Sequence, residues 1–582
     1  MSPQNSTSDN PPEFCWQALK KPVVLVVIMV GFAIAEWFLF RRFFGKYIAH
    51  SFLQHWDQVA VYSRIYRLHF GLEESGIGYL FTNTQFLLDK QAMKGLFVPF
   101  LGVLMTSIFG PFRLTVISVN FALFLSGQIA VAVTLYRRLG VPAALLGIGL
   151  YLLSLTHYFS VGGISDMRLD YSAMIMMGWA FLANLTYLES GGKSRWLLAS
   201  IGLLSNVLTR SILIVYWNVA LGLFFVLSLA TGRLDSLKTL DSSSRRAINI
   251  LFSAIVVFLA FLAAFWEPFS KYYIFRVANG ETAIRSSAYG VHGYLETLFY
   301  NCMTFSHHFK YMFASVGVFF LGLVIFQLQR NEKNALLQRL IKFAQSPFFL
   351  LWTCLCAGCL LSISCFMPSP NHVGVLTIPC TLFLTLGINS LVSQSELEEK
   401  ADKAEIVQKR FLTVASCAIF ALGCVFFAKE MLRPTFPAGK DAEMSDLVRR
   451  VNEVLSHEMK NRDVSHVCYP ILSDEWSAAQ LEIYWYENER KSLPENYGPV
   501  IINPFQQYDW KQVQSILSEA TFVVLPVREP ECSEEEHAMK GQLSIRKLMP
   551  QIKKELNASF YPVAVLDNRS GYSMGIFRNK KP

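Results

Sequence analysis

Charged residues are scarce in this sequence. Asp, Glu, Lys and Arg make up 16% of its 582 residues, while hydrophobic residues make up 53% and Phe alone occurs 47 times. Soluble domains carry about 25% charged residues, so the deficit excludes a wholly soluble protein and places much of the chain in lipid. The net charge of +9 does not indicate nucleic-acid binding, because Lys and Arg near helix ends serve to orient membrane helices.

The sequence has neither a recognisable signal-peptide cleavage site nor many Cys residues outside its apolar runs. The first apolar run, 22–40, has no small-residue cleavage site, so we expect it to remain as a signal anchor. Most of the 11 Cys lie in or beside apolar runs, where Cys acts as a small hydrophobe. Cys468 and Cys532 lie in the polar tail and could pair if that tail is outside the cytosol.

Long apolar runs are what the sequence has in abundance. They fall at about 22–40, 114–135, 141–158, 170–188, 196–209, 212–230, 247–266, 311–329, 347–365, 373–392 and 411–428. A shorter run, 96–110, could enter the membrane without crossing it. A full crossing would reverse the orientation of every later segment. The sequence therefore predicts a polytopic α-helical membrane protein with about eleven transmembrane helices.

Basic residues fall in alternate connections between these runs. These connections contain Arg137-Arg138, Lys193 and Arg195, Arg233 to Arg246, Arg330 to Lys342, and Lys400 to Arg410. The positive-inside rule places them in the cytoplasm together with the N-terminus, residues 1–21. The membrane domain, 22–429, then presents two long loops on its outer face, 41–113 and 267–310. We expect the chemistry on that outer face.

The tail, residues 430–582, lacks long apolar runs and predicts an extracytoplasmic soluble α/β domain. Buried strands are predicted at 520–526 and 561–566, a closing strand at 572–577, and helices at 446–458 and 545–556. No catalytic signature stands out in the tail, so we interpret it as a cover or an acceptor-docking domain.

Acidic residues near the predicted membrane surface are the first candidates for a site, because ionisable residues there are costly to bury. Asp57 follows the first run among aromatic and apolar residues, which would raise its pKa unless a cation or metal compensates. An exposed loop acid or helix cap is the alternative. Asp166, Arg168 and Asp170 form a second cluster. The helix dipole favours Asp170 either in a site or as an N-cap, and Arg168 could form a structural ion pair.

Basic and aromatic residues on the same face call for an anionic partner. They are Arg210, Lys271, Tyr273, Arg276 and His372. Arg210, between two runs, could extend to the membrane interface or present its guanidinium to a phosphate. Outer loops are usually poor in Lys and Arg. Lipid headgroups would therefore be the simpler partner of these cations, and a phosphorylated lipid substrate the more specific one.

Short motifs occur in a fixed order between residues 20 and 430. They are Trp56-Asp57-Gln58, Arg64, Val98-Pro99, Ile108-Phe-Gly110-Pro-Phe-Arg113, Arg168-Leu-Asp170-Tyr, Leu208-Thr209-Arg210 and Pro370-Asn-His372. This order resembles the GT-C glycosyltransferases that use polyprenyl-phosphate sugars, in the branch of protein O-mannosyltransferases and the lipid A aminoarabinose transferase. Gln58 stands where many members carry a second acid, and Arg210 stands where Lys is more usual.

The resemblance implies a GT-C-like fold and a role for each candidate. Asp57 would be the catalytic base or acceptor-positioning carboxylate. Asp170, with Asp166 nearby, would orient the acceptor or a divalent metal ion, the one cofactor these acids could hold. The residues implied in substrate binding are Arg64, Arg168, Arg210, Lys271, Tyr273, Arg276 and His372. Several of them would neutralise the leaving lipid phosphate.

The implied activity is transfer of a hexosyl or pentosyl group from a polyprenyl-phosphate donor to a lipid, glycan or protein acceptor outside the cytoplasm. The expected partners are donor, acceptor and membrane lipids. The bacterial inner membrane, with the tail in the periplasm, is the expected location, and the endoplasmic reticulum is the alternative. The rival hypothesis is a transporter or flippase of a lipid-linked anionic substrate. Such proteins usually show internal repeats and balanced loops, and this sequence has neither.

Overall fold

A computed structural model gives the fold of most of the chain. It describes residues 22–49, 56–79, 95–159, 163–167, 169–230, 242–270, 291, 293–329, 333–366, 370–392, 402–435, 442–460, 465–469, 478–490, 493, 497–500, 508–528, 540–567 and 573–580. The side chain of Asp57 and the whole of Arg168, Lys271, Tyr273, Arg276 and Cys532 lie outside the described residues.

Helices make up the membrane region. They are α1 (Pro22–Tyr47), α2 (Trp56–Ser75), α3 (Phe97–Phe109), α4 (Arg113–Leu139), α5 (Val141–Leu152), α6 (Leu169–Ser190), α7 (Lys193–Thr209), α8 (Ile212–Ala230), α9 (Ser242–Phe269), α10 (Tyr294–His308), α11 (Lys310–Gln329), α12 (Lys333–Ala344), α13 (Pro347–Phe366), α14 (Pro370–Val373), α15 (Thr377–Val392) and α16 (Asp402–Leu432). Every predicted apolar run overlaps one or more of these helices. The uninterrupted apolar sequence explains this, because a helix satisfies its own backbone groups where water is absent.

Six helices of the described residues are long and apolar enough to cross a membrane. They are Val23–Tyr47, Arg113–Leu139, Arg245–Glu267, Phe348–Cys365, Gly374–Leu391 and Arg410–Leu432. The run 141–158 differs from its prediction, because helix α5 ends at Leu152 and a short 3₁₀ helix, Leu155–His157, follows. A helix of 12 residues is about 18 Å long, which is short of the roughly 30 Å hydrocarbon core. The count of eleven spans therefore stays a prediction.

Small residues let the helices approach one another closely. A Cβ added to Gly149 of α5 would come within 2.6 Å of the Ile419 carbonyl oxygen of α16, and one added to Gly423 of α16 within 2.7 Å of the Gly149 carbonyl oxygen. Lipid tails are as apolar as the side chains, so the hydrophobic effect does not drive helices together in a membrane. Helices in lipid associate instead through such close backbone packing. This crossing fixes α5 against the last apolar helix.

The two ends of α6 carry different groups. Asp170 lies in its first turn. At its other end, Arg138 forms two bonds to Glu189, of 2.8 and 2.6 Å, and Arg246 donates to the Leu188 and Glu189 carbonyls at 2.7 Å each. Because α6 has 22 residues, it is about 33 Å long, close to the thickness of a bilayer core. Arg138 and Arg246, from two of the basic connections that were predicted to share one face, therefore meet at the end of α6 far from Asp170.

The C-terminal region forms a small α/β unit. Its elements are α17 (Ala442–Lys460), β1 (Ser465–Cys468), α18 (Ala478–Glu489), β2 (Tyr497–Val500), α19 (Trp510–Glu519), β3 (Phe522–Arg528), α20 (Lys540–Ser559), β4 (Phe560–Asp567) and β5 (Ser573–Asn579). The five-stranded sheet has the order β2-β1-β3-β5-β4. Strands β1, β2 and β3 pair in parallel, and β5 pairs antiparallel with β3 and β4. The strands and helices predicted for the tail are present, with boundaries shifted by a few residues.

Candidate active site

The first turn of α6 holds the central carboxylate of the candidate site. The Asp170 side chain is only 9% exposed, and its Oδ1 atom forms an ion pair with Nη1 of Arg210. The free backbone N–H groups at a helix start favour a negative charge there. Asp170 therefore has two sources of stabilisation, the helix dipole and a guanidinium from another part of the chain.

Arg210 occupies the connection between α7 and α8. Its backbone is extended, with φ −156° and ψ 112°, and its N–H donates to the Asn206 carbonyl and so closes the end of α7. The ion pair directs the guanidinium toward the start of α6. The sequence left two interpretations of Arg210 open, and this position favours a role inside the site over one at the lipid interface.

His372 lies near the same carboxylate oxygen of Asp170. Its Nε2 is 3.7 Å from Oδ1 of Asp170, and its Nδ1 is 3.1 Å from the hydroxyl of Tyr216 in α8. When Tyr216 donates to Nδ1, the ring carries its proton on Nε2, which faces Asp170. Sequence reasoning missed Tyr216, because nothing distinguishes a Tyr within an apolar run from an ordinary packing residue.

The cluster of Asp170, Arg210, His372 and Tyr216 can bind an anion. It combines one permanent cation with an imidazole that can gain a proton, around a single carboxylate that holds both in place. A guanidinium offers several N–H donors in a fork that matches phosphate geometry. The cluster is thus suited to a phosphate group that would share Arg210 and His372 with Asp170.

Arg64 of α2 contacts the segment that leads into α3. Its side chain is buried, and its Nη1 donates to the Gly95 carbonyl at 3.2 Å. The next residue, Leu96, donates its N–H to the Leu208 carbonyl at 2.7 Å, two residues before Arg210. Burial lowers the pKa of Arg64 to about 10, so the guanidinium still carries its charge at neutral pH. Arg64 therefore connects α2 to the segment that bears Arg210.

Gly95 is required at this junction. Its φ is +87°, and an added Cβ would lie 2.0 Å from the Thr209 carbonyl oxygen. We expect Gly95→Ala to force the chain away from Thr209, to displace Arg210, and to reduce the free energy of unfolding by about 1–3 kcal/mol. Thermal unfolding and anion binding of the purified protein would measure both effects.

Gly222→Ala is the matched control, because an added Cβ at Gly222 in α8 meets nothing within 4 Å. Alanine also favours a helix over glycine by up to about 1 kcal/mol, so this control should be neutral or slightly stabilising. Equal behaviour of the two variants would contradict the role assigned to Gly95.

The start of α2 lies beside the segment that leads into α6. The Gln58 side chain donates to the Ser165 carbonyl at 3.3 Å, and Asn120 of α4 donates to the Asp166 carbonyl at 2.7 Å. Asp57 is the neighbour of Gln58 in the first turn of α2, so its backbone is close to the segment 163–167. Asp166 is itself buried. The catalytic roles of Asp57 and Asp166 stay predictions.

The described residues do not form a ready metal site. They contain no group of three or more His, Cys, Asp or Glu side chains that could hold a metal ion. The carboxylate of Asp170 already faces a guanidinium, which a bound cation would have to displace. In this cluster Arg210 is therefore the counter-ion of Asp170.

The overall fold is similar to that of two solved structures. The chain has an ArnT-like fold, which is the fold that the sequence resemblance implied. In particular, it matches the crystal structure of apo ArnT from Cupriavidus metallidurans with a TM-score of 0.51 and 12% sequence identity, over 95% of this chain and 98% of that one. ArnT from the same organism bound to undecaprenyl phosphate matches with a TM-score of 0.50 and 12% identity, over 96% and 98% of the two chains. No protein-family model matches the sequence, and no curated protein matches it.

Proposed function

We propose that this chain is an integral-membrane glycosyltransferase that takes a sugar from a polyprenyl-phosphate donor. The observation that carries the proposal is the pairing of Asp170 with both Arg210 and His372 at one end of α6. The fold supports it, because one of the matching ArnT structures is bound to undecaprenyl phosphate. The acceptor in this proposal is a lipid, glycan or protein on the outer face of the bacterial inner membrane.

The main chemical task is to stabilise the leaving phosphate. As the bond from the anomeric carbon to the phosphate oxygen breaks, negative charge develops on that oxygen. Preorganised cations placed where charge develops lower the barrier more than any other single contribution. Arg210 supplies a permanent charge, and His372 supplies an N–H from Nε2. Asp170 holds both groups in position before the donor arrives.

The second task is to activate the acceptor. A base must remove the proton of the acceptor hydroxyl as its oxygen attacks the anomeric carbon. Asp57 is our candidate, because α2 brings its backbone close to the segment before α6. A single displacement by this route inverts the anomeric centre, whereas retention would require a second carboxylate as nucleophile.

Asp170→Asn tests the cluster directly. The change keeps the shape of the side chain but removes its charge, so Arg210 and His372 lose their common partner. We expect turnover to fall about 10- to 100-fold, because a displaced catalytic group costs that much in rate. The measurement is transfer of radiolabel from a polyprenyl-phosphate sugar to endogenous acceptors in membranes containing the full chain.

Asp446→Asn is the matched control, because Asp446 forms an exposed ion pair with Arg449 in the tail. Unchanged transfer by the Asp170 variant would show that Asp170 is not part of the catalytic site. If the wild-type protein moved the intact labelled lipid across sealed vesicles and transferred no sugar, the flippase hypothesis would replace this one.

A further inference from the structure

Helix α2 lies between the candidate site and the C-terminal domain. Gln58 and Arg64 make its contacts toward the site, with the Ser165 and Gly95 carbonyls. Ser63 and Arg67 make its contacts toward α18 of the domain. Because α2 also carries Asp57, any group that fixes α2 also fixes the proposed base.

Glu482 of α18 is the first group that holds α2. Its Oε2 atom accepts a short hydrogen bond from the Ser63 hydroxyl and a charged one from Nη2 of Arg67 at 2.9 Å. The Glu482 side chain is only 5% exposed. Burial alone would lower the pKa of Arg67, but the Glu482 carboxylate raises it above its usual value. Loss of the Glu482 charge would leave both Ser63 and Arg67 without this acceptor.

Glu487, about one and a half turns further along α18, contacts the start of α4 and the middle of α2. Arg113, the first residue of α4, donates two bonds to its carboxylate, from Nε at 2.8 Å and from Nη2 at 2.7 Å. Tyr66 of α2 donates a third at 3.1 Å. Arg113 also reaches the Ile48 carbonyl, just after α1, at 3.4 Å. The carboxylate of Glu487 therefore connects α18 to α2 and to the start of α4.

Aromatic packing completes this interface. Tyr486 of α18 stacks on Phe70 of α2, with ring centroids 5.4 Å apart and an interplanar angle of 11°. Its ring is also 5.9 Å from that of Tyr66. Such ring pairs stabilise an interface beyond the apolar area that they bury. A domain that docks acceptors loosely would not need two carboxylates and a stack of rings against one helix.

We propose that the C-terminal domain is part of the catalytic machinery, because α18 fixes the position of α2 relative to the cluster of Asp170, Arg210 and His372. Glu482 and Glu487 are its positioning residues. They act through Arg67, Tyr66 and Arg113 and do not touch the substrate. This inference rests on the proposed function, and it replaces our interpretation of the tail as a simple cover.

The test uses Glu482→Gln and Glu487→Gln in the full-length protein, purified in detergent or reconstituted in vesicles. We expect kcat with a polyprenyl-phosphate sugar to fall about 10- to 100-fold, with a much smaller change in the KM for the donor, because Asp170, Arg210 and His372 do not lie on α2. Amide hydrogen exchange should become faster in α2 and should stay unchanged in α6. Ser63→Ala, which removes one hydrogen bond only, is the milder variant if Glu482→Gln unfolds.

Glu453→Gln is the control, since Glu453 in α17 pairs with Arg449 on the surface of the same domain. Unchanged kcat, or a loss of kcat that matches the loss of folded protein, would overturn the proposal. Slow exchange in α2 of both variants would overturn it as well. If the wild-type protein transferred no sugar from any donor tested, the proposed function would fail, and faster exchange in α2 would still show that Glu482 holds this helix.

Discussion

Asp57→Asn is expected to lower turnover by about 10²- to 10⁴-fold, the contribution typical of a general base. The amide has the shape of the carboxylate but cannot accept the proton of the acceptor hydroxyl. Because Asp57 acts on the acceptor in our proposal, the KM for the polyprenyl-phosphate donor should not change. The measurement is the initial rate of transfer in proteoliposomes, with donor and acceptor varied separately.

A second measurement separates the two roles implied for Asp57. A base loses activity at low pH as it gains a proton, so the acidic limb of the rate profile should disappear in Asp57→Asn. A variant that keeps this limb and only raises the KM for the acceptor would assign Asp57 to acceptor positioning. Normal turnover in the variant would exclude both roles.

Arg210→Lys is expected to lower turnover by about 10²- to 10³-fold, as does the loss of one donor to a developing oxyanion. Lysine keeps the positive charge but lacks the planar fork with which arginine can contact Asp170 and a phosphate together. The lysine variant is preferable to Arg210→Ala, because alanine would leave the poorly exposed Asp170 without its guanidinium and would also destabilise the fold.

Arg449→Lys serves as the control, since this arginine also pairs with a carboxylate, Asp446, but on the surface of the tail. Surface ion pairs contribute only about 0–1 kcal/mol, so this variant should behave as the wild type. If Arg210→Lys retained full turnover, the guanidinium would be a structural partner of Asp170 and would not bind the leaving group.

The helices of the membrane region could be predicted from the sequence because their cause is local. A long apolar run has to satisfy its backbone groups within itself when it enters lipid, and the α-helix does so. The same reasoning does not account for the run 141–158. Hydropathy continued past Leu152, but α5 ends there and the chain turns into a 3₁₀ helix.

The sequence could identify candidate residues of the site but could not predict which of them are in contact. Asp170, Arg210 and His372 were each conspicuous as ionisable residues at the ends of apolar runs, which are costly places for charge. Their contact depends on how α6, the connection after α7, and α14 pack together. No local pattern encodes that packing. Tyr216 was missed for the same reason, because only its neighbour His372 distinguishes it.

The sequence by itself determined that much of this chain lies in a membrane and that a polar α/β region follows, and it predicted that the basic connections share one face. Hydrophobicity, charge placement and periodicity are properties of short segments, so they can be read directly from the residues. Only the tertiary structure decided that Asp170 joins Arg210 to His372, and that Glu482 and Glu487 hold α2. Those contacts form between segments far apart in the chain, and the packing of whole helices alone brings them within hydrogen-bonding distance.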